Sequence, residues 1–236
     1  MSTAQLTDLF DIETVVRLYQ TYADDLRVAR EAQRELRHQY PLKPKLDDIE
    51  AELTYLALRA VRPAAVVEIG SFHGWSTTWI LRALRDNGSG HLYTFDLVDH
   101  ATRSVPPALS AERWTFVHGD VRTQLHRLPP RPGYVFVDAA HTAGFARWYT
   151  QRLLPRLAAG TPVSVHDVFH GRRPWPVSEG RVLLAWLRDR GIAHLTASPA
   201  ADPDTHDRLR DLKRKLALSA PVHGAGRNPM AFFQLR

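Results

Sequence analysis

The chain has no cysteine among its 236 residues. That excludes disulfides, thiolate zinc sites, iron–sulfur ligation and any cysteine nucleophile. Lysine is scarce as well: of 31 basic residues only Lys43, Lys45, Lys213 and Lys215 are lysines, and the rest are arginine. Arginine scattered among alanine fits a GC-rich coding bias as readily as a binding surface. No run of like charge exceeds a few residues, so the net charge of +6 permits contact with nucleic acid without arguing for it. No window holds eighteen apolar residues, and the first residues lack a basic-then-apolar leader. The expectation is therefore a soluble, cytoplasmic protein without a membrane partner. Internal repeats and low-complexity tracts are absent too.

What is present is organised around Val66 to Thr78. Two valines and Ile69 suit a strand buried on both faces, ending in the carboxylate of Glu68. Gly70 and Gly74 allow a tight turn and close approach to a ligand, and Ser76 or Thr77 offers a cap for a helix carrying Trp79, Ile80, Leu81 and Leu84. Strand, glycine loop and helix N-terminus make a cofactor cradle.

Upstream, residues 1–60 read as strand-free helices, with Leu6, Leu9, Phe10, Ile12, Val15, Val16, Leu18 and Tyr19 at helical spacing. A half-exposed helix over 24–38 is broken by Tyr40-Pro41-Leu42-Lys43-Pro44. Asp47 and Asp48 open a third helix striped by Ile49, Leu53, Leu56 and Ala60. This region is an N-terminal cap or a dimerisation region, and residues 61–236 form the second unit.

Downstream the pattern alternates strand and helix, which indicates a doubly wound parallel sheet. Strands are expected at 91–96, 114–118, 134–138, 162–167, 193–197 and 230–235, and a helix over 180–190. The segment from 199 to 217 reads as loop plus one exposed helix. Glu68, Asp96, Asp120, Asp138 and Asp167 fall at or just past five successive strand ends, which is where ligands sit in open α/β sheets. The spacing from Gly74 to Asp96 is compatible with a dinucleotide, but the glycines run Gly-x-x-x-Gly and leave Glu68 unexplained. A cofactor carrying cations explains the acids better.

Four stretches in order carry a resemblance: Glu68-Ile-Gly-x-x-x-Gly-x-Ser-Thr77, Asp96 ending the second strand, Gly119-Asp120 after the third, and Val137-Asp-x-x-His141 after the fourth. Over residues 60–236 the chain resembles the class I S-adenosylmethionine-dependent methyltransferases. It is most similar to the small-molecule O-methyltransferases that include cephalosporin-hydroxylase-like proteins. The resemblance implies a Rossmann-like seven-stranded sheet, mostly parallel, whose last strand inserts antiparallel. It assigns Glu68, Gly70, Ser71 and Gly74 to the methionine moiety of S-adenosylmethionine, with Ser76 and Thr77 following. It gives Asp96 and Leu97 to the ribose, Asp120 and Val121 to the adenine, and adds Asp138 and Ala139.

Chemistry is expected at the ends of the fourth and fifth strands. Methyl transfer needs a deprotonated nucleophile, so a base of near-neutral pKa is apt, and His141 and His166 are the catalytic candidates. In catechol-type O-methyltransferases, which the sequence resembles, the fourth-strand Asp binds magnesium and a Lys three residues on is the base. His141 occupies that position here. Asp138, Asp167 and His170 are the candidate ligands of a divalent metal, magnesium or another. Val168 departs from the family's Asp-Asn, and imidazole suits other metals better than magnesium. The reaction that the resemblance implies is methylation of a small-molecule acceptor at oxygen, within natural-product biosynthesis. Two alternatives stay open: a nucleic-acid methyltransferase, which the absent Asn/Asp-Pro-Pro-Tyr motif disfavours, and a cofactor-binding fold with other chemistry.

Overall fold

The structure is a computed structural model that describes residues 8–224 and 226–236; Leu6 of the first periodic stretch lies outside them. Three helices come first. Helix α1 (Ile12–Thr21) is capped by Asp11, whose carboxylate accepts from the Glu13 and Thr14 amides. Helix α2 (Ala23–Gln39) stops at Tyr40, which is extended ahead of Pro41. Helix α3 (Asp48–Val61) starts with a capping box between Asp47 and Glu50.

The strands are β1 (Ala65–Ile69), β2 (His91–Asp96), β3 (Trp114–His118), β4 (Tyr134–Val137), β5 (Pro162–Val165), β6 (His194–Leu195) and β7 (Ala231–Gln234). They form one sheet in the order β3-β2-β1-β4-β5-β7-β6. The first five run parallel, and β7 lies antiparallel between β5 and β6, as the resemblance implies. Of the strand expected at 193–197, only two residues pair. Between strands stand α4 (Trp75–Asn87), the short α5 (His100–Ser104) and α6 (Pro107–Ser110), α7 (Ala143–Trp148), α8 (Glu179–Asp189) and α9 (Pro203–Lys215). The helix expected through Leu153 is α7 followed by a π-helical turn over Tyr149–Leu153, because Pro155 lacks the N–H that a longer α-helix needs.

Strand alternation divides the core. Val66, Leu92, Tyr134, Phe136 and Phe232 point to one face and pack on Trp79, Leu84, Leu53 and Tyr19. Val67, Ile69, Phe95, Val135, Val163 and Phe233 point to the other and meet Phe145, Tyr149, Leu183 and Leu187. Both faces are dry, so the strands read as apolar runs. Each fully buried Leu, Val or Phe contributes about 1.5–3 kcal/mol.

Helices α1–α3 share the first of these cores. Their polar groups also reach across it: Glu52, buried, accepts from Tyr19 Oη and Lys213 Nζ at 2.8 Å each and pairs with Arg30. Burial lowers the Lys213 pKa to about 7. The start of α3 holds the chain ahead of β7. Asp48 accepts from the Val222 and His223 amides, Asp47 from those of Arg227 and Asn228, and Glu50 Oε1 from that of Met230 at 2.7 Å. Glu50 is thereby fixed beside the C-terminal end of β5. Among the described residues no helix is long and apolar enough to cross a membrane.

Candidate active site

Strand order reverses between β1 and β4, so the crevice opens where their C-terminal ends part. There Gly70, at φ +84°, turns the chain against the β4 end; a Cβ on it would lie 1.8 Å from the Asp138 carbonyl oxygen. Glycine is required by both counts. Gly74, also left-handed, is the N-cap of α4.

Ser76 and Thr77 do not cap that helix. Their hydroxyls donate to Glu68 at 2.7 and 2.8 Å, and Thr94 Oγ1 donates to the same carboxylate at 2.7 Å. Glu68 is fully buried beneath the glycine loop and ties β1, β2 and α4 together, and it does not line the crevice. Burial raises its pKa to about 7 against the three hydroxyls. The folded value lies above the ordinary 4.5, so the stability Glu68 permits is complete below pH 4.5 and is lost as pH rises through 7. Glu68→Gln is expected to flatten the melting temperature between pH 5 and pH 8, and thermal melts across that range check it.

Asp96 organises the loop from outside. Its Oδ2 accepts from the Ser71 amide at 2.6 Å, the Ser71 hydroxyl at 2.9 Å and the Phe72 amide at 2.8 Å, while Oδ1 accepts from the Val98 amide at 3.1 Å. Oδ1 keeps acceptor capacity for a ligand hydroxyl. Ser71 thus serves the loop through Asp96. Asp96→Ala is expected to weaken cofactor binding by roughly 1–3 kcal/mol, the cost of unpairing these groups. Calorimetric titration with S-adenosylhomocysteine checks it, and unchanged affinity would remove Asp96 from the site.

A cavity of about 370 Å³ runs along these strand ends, lined by Gly70, Phe72, Asp96, Leu97, Asp120, Val121, Asp138, Ala139 and Phe145 among others. That volume falls within the range of small-molecule sites, about 300–1,000 Å³. Asp120 accepts from the Arg122 amide, so it does cap the turn at 121–123, and its carboxylate forms a two-pronged ion pair with the Arg122 guanidinium. That pairing holds its pKa below the usual carboxylate range. Three acids on one apolar-walled cavity fit a cofactor with an ammonium, a sulfonium and ribose hydroxyls. Asp96 and Asp138 are the residues placed to hold it, with Asp120 at the far end.

At the inner end of the cavity the loops after β4 and β5 converge. His141 Nε2 stands 3.4 Å from Asp138 and 3.6 Å from Asp167; His166 Nδ1 stands 3.2 Å from Asp138 and 3.4 Å from Asp167. His141 and Asp167 both adopt left-handed backbone, at φ 48° and 56°. Such strain in residues other than glycine costs about 1–3 kcal/mol and is concentrated at functional sites. The back of each ring meets a second acid that the sequence did not single out. His166 Nε2 is 3.5 Å from Glu50, and His141 Nδ1 is 3.2 Å from Glu179. Burial pulls the His141 pKa down, but Asp138 and Glu179 outweigh it and push it up to about 10. His166 is raised well above 6.5 in the same way by Asp138 and Glu50, and Asp138 is held far below the carboxylate range by the two imidazoles. The two rings differ in access. The His141 side chain is 35% exposed and His166 only 7%, so only His141 meets an incoming acceptor.

The donor set does not fit a metal ion. Among the described residues no group of three or more His, Asp or Glu side chains is placed to hold one. The Asp138 and Asp167 oxygens instead face imidazole nitrogens. Val168 supplies no third ligand, and His170 turns away, its ring paired with Trp175 at a centroid distance of 5.1 Å.

No curated protein matches the chain in sequence. Residues 67–168 match the family described as a methyltransferase domain. Among solved structures, the O-methyltransferase from Bacillus cereus in complex with SAH is similar at a TM-score of 0.61 and 14% identity, covering 96% of this chain and 100% of that one. TomG from Streptomyces achromogenes, an O-methyltransferase involved in tomaymycin synthesis and solved with SAM, is similar at 0.59 and 18%, covering 88% and 89%. The SAH-bound methyltransferase PaMTH1 from Podospora anserina is similar at 0.52 and 18%, covering 71% and 82%. At these identities the likeness is one of fold. The sheet order and the acid-lined crevice agree with the methyltransferase domain matched over residues 67–168, and the fold is that of these methyltransferase structures.

Proposed function

We propose that the protein transfers the methyl group to a hydroxyl of a small molecule, with His141 as the proton acceptor. The observation that carries this reading is a shared residue: Asp138 lines the cofactor cavity and stands 3.4 Å from His141 Nε2. Cofactor and base therefore meet at one carboxylate. When bound, S-adenosylmethionine supplies an electrophilic methyl on a positively charged sulfur. Asp96 and the Gly70 turn would hold the cofactor. Asp138 and Asp167 hold Nε2 of His141 toward the crevice, where it takes the acceptor's proton. The exposed Phe72, Leu97 and Val98 line the cavity and offer apolar surface, which suits an aromatic or polyketide-like acceptor. The names of the O-methyltransferase neighbours, one of them in antibiotic synthesis, support oxygen as the target and natural-product biosynthesis as the setting.

No metal enters this reading, because the His141 and His166 rings stand between the carboxylates. Exhaustive chelation is expected to leave the transfer rate unchanged. His141 must lose its proton before it accepts one. Since its pKa is raised to about 10, the rate is expected to climb from pH 7 toward pH 10 rather than peak near neutrality. The test is a screen of phenolic and polyketide acceptors with isotopically labelled methyl donor, with product mass and methyl position read by mass spectrometry. Methylation at nitrogen, or a rate that chelation abolishes, would overturn the proposal.

A further inference from the structure

The groups behind His141 are more ordered than an accident of packing requires. Glu179 is the first residue of α8 and is 1% exposed, with Oε2 3.2 Å from His141 Nδ1. Three features bring it there. Gly180 presses α8 against the end of β5, where a Cβ would lie 2.4 Å from the Val168 carbonyl oxygen. A single β-bridge joins Thr142 to Ser178, so the residues flanking it, His141 and Glu179, become neighbours. Ser178 caps α8 by accepting from the Arg181 amide.

Behind Glu179 lies Tyr149, fully buried, at the start of the π-helical turn. Its hydroxyl and Glu179 Oε1 are both buried, and neither has a hydrogen-bond partner among the described residues. Burial and the adjacent Glu179 carboxylate raise the phenol's pKa well above 10, so it stays a donor.

We propose that Glu179, backed by Tyr149, is a positioning residue that fixes the proton of His141 on Nδ1 and leaves Nε2 to face the acceptor. This rests on the reading of His141 as the base. A carboxylate behind an imidazole selects its tautomer and orientation in just this manner in other acid–base sites. The buried Tyr149 hydroxyl, adjacent to Glu179, is a donor available to the carboxylate on the side away from the imidazole.

The test uses the full chain labelled with ¹⁵N-histidine and saturated with S-adenosylhomocysteine. Long-range ¹H–¹⁵N spectra are compared for wild type, Glu179→Gln and Tyr149→Phe, with His141→Ala to assign the His141 signals. The expected result is a proton-bearing Nδ1 in wild type. In Glu179→Gln the Nδ1 signal moves toward the position of a nitrogen lone pair, because the Gln amide can donate to it, while S-adenosylhomocysteine affinity is unchanged. Tyr149→Phe is expected to give a smaller shift in the same direction. Should Glu179→Gln not fold, Glu179→Asp serves, and there a weakened Nδ1–H signal is expected from the shorter arm. His141 nitrogen signals unmoved in the folded Glu179 variant would overturn the proposal. Methyl transfer that survives in His141→Ala would instead overturn the assignment of the base, whatever the spectra show.

Discussion

His141→Ala is expected to reduce the rate of methyl transfer by about 10²–10⁴-fold, the usual contribution of a positioned acid–base group. Binding of S-adenosylhomocysteine should be unaffected, because His141 is not among the residues that line the cofactor cavity. The split between rate and cofactor affinity is what separates a base from a structural group. The variant also removes a side chain held between Asp138, Asp167 and Glu179, leaving three carboxylates with one imidazole among them. A modest fall in melting temperature is therefore expected alongside the lost rate. A rate within threefold of wild type, at about 0.6 kcal/mol of barrier, would remove His141 from the chemistry.

Gly70→Ala is the second large effect, and it acts on binding. At φ +84° an alanine pays the left-handed strain of about 1–3 kcal/mol before any contact is considered. Its methyl would then lie 1.8 Å from the Asp138 carbonyl oxygen, so the loop must leave the β4 end. Leaving displaces the amide of Ser71 from Asp96 and the wall formed by Asp138. Affinity for S-adenosylhomocysteine should fall by about a hundredfold or more, since each tenfold is about 1.4 kcal/mol. Calorimetry on the folded variant checks it, and wild-type affinity would mean that the cofactor does not depend on this turn.

These two positions also show what the sequence makes legible. Gly70 and His141 sit at strand ends, and buried parallel strands announce themselves as apolar runs broken by a glycine or an acid. The five acids at strand ends and the parallel strands were readable for that reason, and the antiparallel setting of the last strand through the resemblance to the family. Roles were less readable than places. Glu68 looked like a ligand group, but its partners Ser76, Thr77 and Thr94 become neighbours only when β2 and α4 pack around it. Glu50 and Glu179 carry no local signal at all. One is part of a capping box and the other opens a helix, and each reaches a histidine only through the packing of α3 or α8 against the β5 end. His170 failed in the opposite way: proximity in sequence to Asp167 suggested a ligand, while the loop turns its ring onto Trp175.

The most direct test of the account is calorimetric titration of the chelator-treated protein with S-adenosylhomocysteine, repeated with added magnesium. The acid-lined cavity predicts saturable one-to-one binding that magnesium leaves unchanged. Absence of binding, or binding seen only once magnesium is added, would contradict it.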